Sequence, residues 1–138
     1  MGRIMAIDYG SKRVGIAVTD TLRIIATGLT TIHSKDLILF LEGYFKKEQV
    51  DIVVVGEPKT LGNEKSNSAR FIDPFVSHLK KKFPNLTVER YDERFTSAIA
   101  HQTMLAGGLK KSDRKNKETV DMVSATIILQ DFMQSKGM

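Results

Sequence analysis

The sequence predicts an α/β chain: a mixed five-stranded sheet, three antiparallel strands and then parallel strands, with helices on both faces. Three observations carry this. Two apolar runs, Ile4 to Ile7 and Val14 to Val18, are joined by the short connection Gly10 to Arg13. Only an antiparallel hairpin can use so short a link, because a parallel pair needs a crossover of roughly a dozen residues or more. The β-branched run Asp51-Ile52-Val53-Val54-Val55-Gly56 has the composition of a parallel strand buried on both faces. Beyond residue 34, segments with helical spacing alternate with strand-like ones.

The first strand ends in Asp8-Tyr9-Gly10-Ser11, which reads as a turn. The second is Val14 to Val18, and a third covers Ala26 to Ile32. Ser34 is placed to cap a helix in which Leu37, Ile38, Leu41, Tyr44 and Phe45 recur at helical spacing. The Asp51 to Gly56 strand follows. After Glu57-Pro58 the polar segment to Ser68 reads as loop. Ala69, Ile72, Phe75, Val76 and Leu79 then give an amphipathic helix with Pro74 as its irregularity. Leu86 to Tyr91 is the fifth strand. Phe95 to Leu105 is a helix stopped by Gly107-Gly108, and Leu109 to Lys117 is basic. The last helix, from about Arg114 to Met133, is expected to turn Val120, Val123, Ile127 and Leu129 inward.

Composition narrows the function. With 138 residues, 41% of them hydrophobic and no repeat, residues 1–138 are expected to form a single domain with its own core. A net charge of +5 favours a polyanionic partner, nucleic acid first. The absence of cysteine excludes disulfides, thiolate zinc sites and cysteine nucleophiles. The N-terminus reaches a charge too early for a signal peptide and no apolar run is long enough for a membrane span, so a cytoplasmic protein without membrane contact is expected.

Ligands of open α/β sheets bind beyond the carboxyl ends of the parallel strands, so acids at those ends come first. Asp8 ends the first strand, Glu57 follows the fourth, and Asp92-Glu93 follows the fifth. Asp121 joins them from an otherwise apolar stretch of the last helix. Carboxylates gathered from distant parts of a chain repel one another unless a cation sits among them. Oxygen donors without cysteine select a hard ion, Mg²⁺ or Mn²⁺. On a basic chain that points to metal-assisted phosphodiester hydrolysis. Each acid also has a purely structural reading: turn chemistry for Asp8, capping for Glu57 and Asp92, a solvated first turn for Glu93, and an i, i+4 pair with Lys117 for Asp121. Lys110, Lys111, Arg114, Lys115 and Lys117 crowd the positive end of a helix dipole, an unfavourable placement that phosphate binding would explain. His33, His78 and His101 have no mutual spacing that makes a metal site.

Four blocks of residues resemble the YqgF/RuvX family. The stretch Ile7 to Asp20 is similar to its opening DYGxKRxGxAxxD signature. Val54-Val55-Gly56-Glu57-Pro58, Asp92-Glu93-Arg94-Phe95-Thr96-Ser97-Ala98 and Lys117-Glu118-Thr119-Val120-Asp121, with Ile127-Ile128-Leu129-Gln130 beyond, follow in order over nearly the whole chain. The resemblance implies an RNase H-like fold and a nuclease, either one that matures the 5′ end of pre-16S ribosomal RNA or a Holliday junction resolvase. It makes Asp8, Glu93 and Asp121 the metal-binding catalytic acids. It favours RNA over DNA and brings ribosome precursors in as partners. Glu57 stands where the family often has leucine, which leaves it as an extra ligand, a group bonded to a ligand, or a local variant. Ser97 replaces a usual threonine and keeps the hydroxyl.

On this reading Arg13, Arg94, Lys117, Lys115 and Arg114 hold phosphates or stabilise transition-state charge. The Asp8-Tyr9-Gly10 hairpin is also similar to the first phosphate loop of actin-like ATPases and sugar kinases, but those need two such lobes and this chain has length for one. A non-catalytic nucleic-acid-binding factor on the same scaffold is the remaining alternative. A resolvase should be a two-fold dimer, whereas a single cut in RNA needs only a monomer.

Overall fold

The structure is a computed structural model that describes residues 2–10, 12–57, 69–92 and 117–137, with the side chains at 57, 69–71, 92 and 117–121 outside the description. Strands β1 (Arg3–Tyr9), β2 (Arg13–Thr19), β3 (Ala26–His33), β4 (Val50–Glu57) and β5 (Thr87–Asp92) form one sheet in the order β3-β2-β1-β4-β5. β1 runs antiparallel to β2, and β2 antiparallel to β3. β4 lies parallel to β1 on its other side, and β5 parallel to β4. The mixed sheet is therefore the one expected.

β1 divides the interior. Met5 and Ile7 point into one core with Val14, Ile16, Val53 and Val55. Helix α1 (Leu37–Lys47) closes it with Leu37 and Leu41, and helix α2 (Ala69–Lys82) with Ile72, Val76 and Leu79. Ile4 and Ala6 point the other way, with Ala17 and Val54, into a core sealed by helix α3 (Lys117–Ser135) through Ala125, Ile128, Leu129, Phe132 and Met133. This is the period-2 alternation of a strand buried on both faces. None of the described helices is long and apolar enough to cross a membrane.

Some expectations need correction. Asp8 lies within β1 and not in a turn after it, because both neighbouring strands extend far enough to pair with it. Ser34 does not cap α1. It opens a short 3-10 turn, Ser34–Asp36, capped by His33, whose Nδ1 accepts the Lys35 N–H at 3.1 Å, and α1 begins at Leu37. Leu86 falls outside β5, its N–H donated to the Phe83 carbonyl in the preceding turn. On α3 the stripe facing the sheet is Ala125, Ile128, Leu129 and Phe132. Ile127 is buried without joining that core, and Val123 is only half-buried. Residues 123–133 are apolar almost all round, so spacing alone could not select the face. The Val120 side chain and the helix expected over 95–105 lie outside the described residues.

Polar staples close the end of the sheet where β1 begins. Thr19 is 1% exposed, and its Oγ1 accepts the Ile4 N–H at 2.9 Å. Asp51 accepts from the Gly2 N–H at 2.9 Å, from Arg23 at 3.0 Å and from Gln49 at 3.0 Å. Thr19→Val keeps the shape and strands a buried N–H. It should lower unfolding free energy by about 1 to 3 kcal/mol in urea titrations. The hydrogen bonds from Gln49 and Gly2, aided by the Arg23 charge, hold the Asp51 carboxyl below its ordinary range. Its contribution is therefore complete above the unfolded value of about 4 and is lost as pH falls through the lower folded value. Thermal melts across this acid range should show a shallower decline for Asp51→Asn than for the parent chain.

Candidate active site

One row of residues crosses the sheet at the carboxyl ends of β1, β4 and β5. Asp8 pairs with Gly15 on β2 and with Gly56 on β4. Gly15 pairs in turn with Thr31, and Gly56 with Tyr91. The row thus reads Thr31, Gly15, Asp8, Gly56, Tyr91. With strands about 4.8 Å apart, the nearest side chains in line with Asp8 stand about 10 Å away on either hand. A half-buried carboxylate thus stands between two buried glycines, which contribute no side chain of their own to the row.

Alternation along β1 puts Asp8 on the face of Ile4 and Ala6, the face that α3 covers. The direction of α3 follows from its neighbours. A Cβ on Gly28 would stand 3.4 Å from Met122 and Thr126, while Met133 borders the groove beside Ile25 and Ala26, earlier on the same strand. The helix therefore runs back along β3, and its first turns, with Lys117 and Asp121, begin toward the end of the sheet where Asp8 sits. Arg13 is two residues from Gly15 on β2, on the same face and at the same end, and is half-buried.

The fate of each expected site residue can now be stated. Asp8 and Arg13 are brought to one end and one face. Asp121 and Lys117 lie in the opening turns of α3, with their side chains outside the described residues. Glu57 is the last residue of β4, in register with Asp92 and one step out of the Asp8 row. Glu93, Arg94, Arg114 and Lys115 lie outside the described residues. Among the described residues no three His, Cys, Asp or Glu side chains form a metal-holding group. What Asp8 itself offers is an anionic oxygen donor flanked in register by two glycines, a donor type that suits a hard cation.

Sequence reasoning passed over the glycines and Tyr91. Gly15 interrupts an apolar run and Gly56 ends another, and a glycine inside a strand marks a place where something must come close. Tyr91 donates its hydroxyl to Asp131 on α3, which fastens β5 to the helix beside the row. The last aspartate of the opening signature, Asp20, plays a different part. Its Oδ1 accepts the Ile24 N–H at 2.7 Å and the Ile25 N–H at 3.0 Å, shaping the β2–β3 turn in which Arg23 has φ 57°. Those backbone bonds, Ile25 first, lower its pKa, and the turn lies at the end of β2 away from Asp8. Tyr9 points to the other core, stacked on Phe75 at 4.8 Å, and burial raises its hydroxyl's pKa.

Comparison with known proteins fits this geometry. A family model described as "RuvX: Holliday junction resolvase" matches residues 2–135. A Bacteroides thetaiotaomicron protein named "Putative pre-16S rRNA nuclease" is 57% identical over 136 residues, covering 99% of each chain. A Flavobacterium psychrophilum protein of the same name is 55% identical with the same coverage. Among solved structures, the Fowlpox virus resolvase in complex with its substrate Holliday junction DNA matches with a TM-score of 0.61 at 14% identity, over 97% of this chain and 98% of that one. The T. thermophilus RuvC in complex with a Holliday junction substrate matches with a TM-score of 0.61 at 15% identity, over 99% and 97%. The fold is thus RNase H-like, as in these RuvC-type resolvases.

Tyr91→Phe removes the bond to Asp131 and keeps the ring. It should cost roughly 1.5 kcal/mol of unfolding free energy, the usual worth of a hydrogen bond to a charged acceptor, measured in urea at neutral pH.

Proposed function

The chain belongs to the RuvX family and is a nuclease, and from that premise we propose that it is a divalent-metal-dependent endonuclease acting on structured RNA, maturing the 5′ end of pre-16S rRNA. The names of its relatives support the substrate, and the place of Asp8 at the carboxyl end of β1, in register with two glycines, supports the chemistry. It would act in the cytoplasm on ribosome precursors, as a monomer or a homodimer.

Asp8, Glu93 and Asp121 would hold Mg²⁺ or Mn²⁺, with Glu57, one step beyond the Asp8 row, as a further candidate. When bound, the ions supply a hydroxide nucleophile and steady the leaving oxygen. The residues of this chain do the rest. Gly15 and Gly56 add no side chain beside Asp8, which a phosphodiester approaching the carboxylate end of the sheet would otherwise meet. Arg13, from the same face, neutralises a phosphate oxygen as the substrate arrives, and Arg94, Arg114, Lys115 and Lys117 extend that cationic surface. Uncompensated, the carboxylates would repel the substrate. A bound cation would offset this, so a chain of +5 net charge could place acids at its reactive centre.

A second reading, junction resolution, is favoured by the family description and by the two structural neighbours bound to junction DNA. Cleavage of pre-16S RNA and of a four-way DNA junction, side by side with and without metal, separates the two. Sedimentation as a monomer together with RNA cleavage excludes symmetric resolution.

Asp8→Asn tests the centre itself. It should abolish metal-dependent cleavage by several orders of magnitude. In EDTA its stability should equal the parent's or rise by about 0.5 to 2 kcal/mol, as when a strained functional site is relaxed. Mn²⁺ should raise the melting temperature of the parent and not of the variant. A variant less stable in EDTA and equally stabilised by Mn²⁺ excludes Asp8 as a ligand.

A further inference from the structure

At the opposite end of the sheet, the last turns of α1 and α2 meet. α1 ends in Lys46 and Lys47, and α2 in Lys80, Lys81 and Lys82. Phe45 and Phe83 hold the two ends together edge to face, ring centroids 4.9 Å apart. A helix dipole favours a cation in its last turn. Five on two adjoining ends exceed that need, and like charges so close repel.

Among the described residues only one of the five is neutralised by an ion pair. Glu42 pairs with Lys82 at 2.5 Å, and its pKa is lowered by that hydrogen bond and by the charges of Lys82 and Lys46. The other carboxylates of this end are already committed, Glu48 to Arg3 at 3.2 Å and Asp51 to Arg23 at 3.0 Å. Lys47, Lys80 and Lys81 are exposed and make no ion pair among the described residues. Between the ends of α1 and α2 and the start of β4 opens a cleft of about 510 Å³. Phe45, Phe83 and Leu86 give it an apolar wall, Gln49 and Asn85 bring amide groups to it, and its charged lining residues, Lys82 and Asp51, are paired with Glu42 and Arg23. Gln49 spends one donor on Asp51 and keeps its carbonyl, and Asn85 makes no side-chain hydrogen bond among the described residues.

Resting on the RNA-nuclease reading above, we propose that this corner is a second contact for substrate RNA. The lysines bind the phosphates of a single-stranded segment flanking the cut, and the cleft takes one unstacked base. Single-stranded RNA is read by splaying a base onto an apolar or aromatic surface and bonding its edge, with cations along the backbone. That is the combination present here. An acidic peptide would use the lysines and leave the flat cleft empty. Val50 lines the cleft and Gly56 adjoins Asp8, so β4 separates the two places by about 20 Å. A short oligonucleotide at the Asp8 row therefore cannot reach the corner, whereas a substrate with a single-stranded extension can.

The test uses the full chain with two RNA substrates, identical except that one carries a single-stranded extension of about 12 nucleotides. Replacing Lys47, Lys80 and Lys81 together by alanine should raise KM for the extended substrate roughly tenfold. Its kcat and the KM of the short substrate should stay unchanged, and the logarithmic salt dependence should flatten by about 2. The melting temperature at low salt should hold or rise. Abasic nucleotides in the extension should raise the parent's KM severalfold. Unchanged KM for the extended substrate overturns the proposal, and indifference to abasic sites overturns the base cleft. Polyglutamate competing as well as the isolated extension would assign the corner to an acidic protein. Binding of the isolated extension, read by fluorescence anisotropy, needs no cleavage. Lysine-dependent binding without any cleavage would therefore overturn the nuclease reading and keep the corner. Cleavage without lysine-dependent binding would do the reverse.

Discussion

Everything in this molecule hangs on β1. It is hydrogen-bonded on both edges and covered on both faces, so Ile4, Met5, Ala6 and Ile7 are wholly excluded from water. A strand so enclosed can carry a charge only where the cover stops. Asp8 is the first position that meets the condition. It is still locked in register with two neighbours, so its backbone is fixed, but it is only half-buried. A carboxylate deeper in β1 would face a desolvation cost no lone partner could offset, and one further along would lose its precise placement.

The same constraint explains the glycines. A glycine inside a strand costs roughly 0.5 to 1 kcal/mol relative to alanine and contributes no packing. Gly15 and Gly56 bear that cost on both sides of one aspartate. Neither has a positive φ, so the backbone does not demand glycine there. Tyr91, beyond Gly56, is fastened to Asp131 on α3. Rigid strands on both sides fix the position of the carboxylate.

Much of this was legible in the sequence because it rests on local pattern. The short Gly10 to Arg13 link dictated an antiparallel hairpin, and the run from Ile52 to Val55 dictated a buried parallel strand. Other features depend on partners far along the chain. Asp8 reads as a turn residue beside Tyr9-Gly10-Ser11, and it is a strand residue because β2 and β4 both reach it. Ser34 looks like a helix cap, yet His33 has the side chain that bonds the turn. The Tyr91–Asp131 bond joins residues 40 apart, and no spacing rule reaches that far. Residues 123–133 of α3 are apolar on too many sides for periodicity to choose its face, and the sheet beneath decides it. The place of Asp8 near the end of β1 was readable from the sequence pattern, whereas the two glycines in register with it emerge only from strand pairing.

The two ends of the sheet meet one electrostatic difficulty in complementary ways. A reactive centre built from carboxylates repels the polyanion it must cut, and a bound cation cancels that repulsion only at the centre. Affinity for a long substrate must therefore come from charges placed elsewhere, far enough away not to compete with the metal for the carboxylates. At the distant corner Glu42, Glu48 and Asp51 are each engaged by a basic side chain, which removes the negative charge that would otherwise offset the lysines of α1 and α2. The lysines lie on the face of the sheet away from Asp8, so at ordinary ionic strength, with a screening length near 8 Å, the two regions hardly sense one another. Binding and cutting can then be set independently. On the proposed reading the acids would hold the ion at one end, and the lysines without an ion pair among the described residues would meet the phosphate backbone at the other.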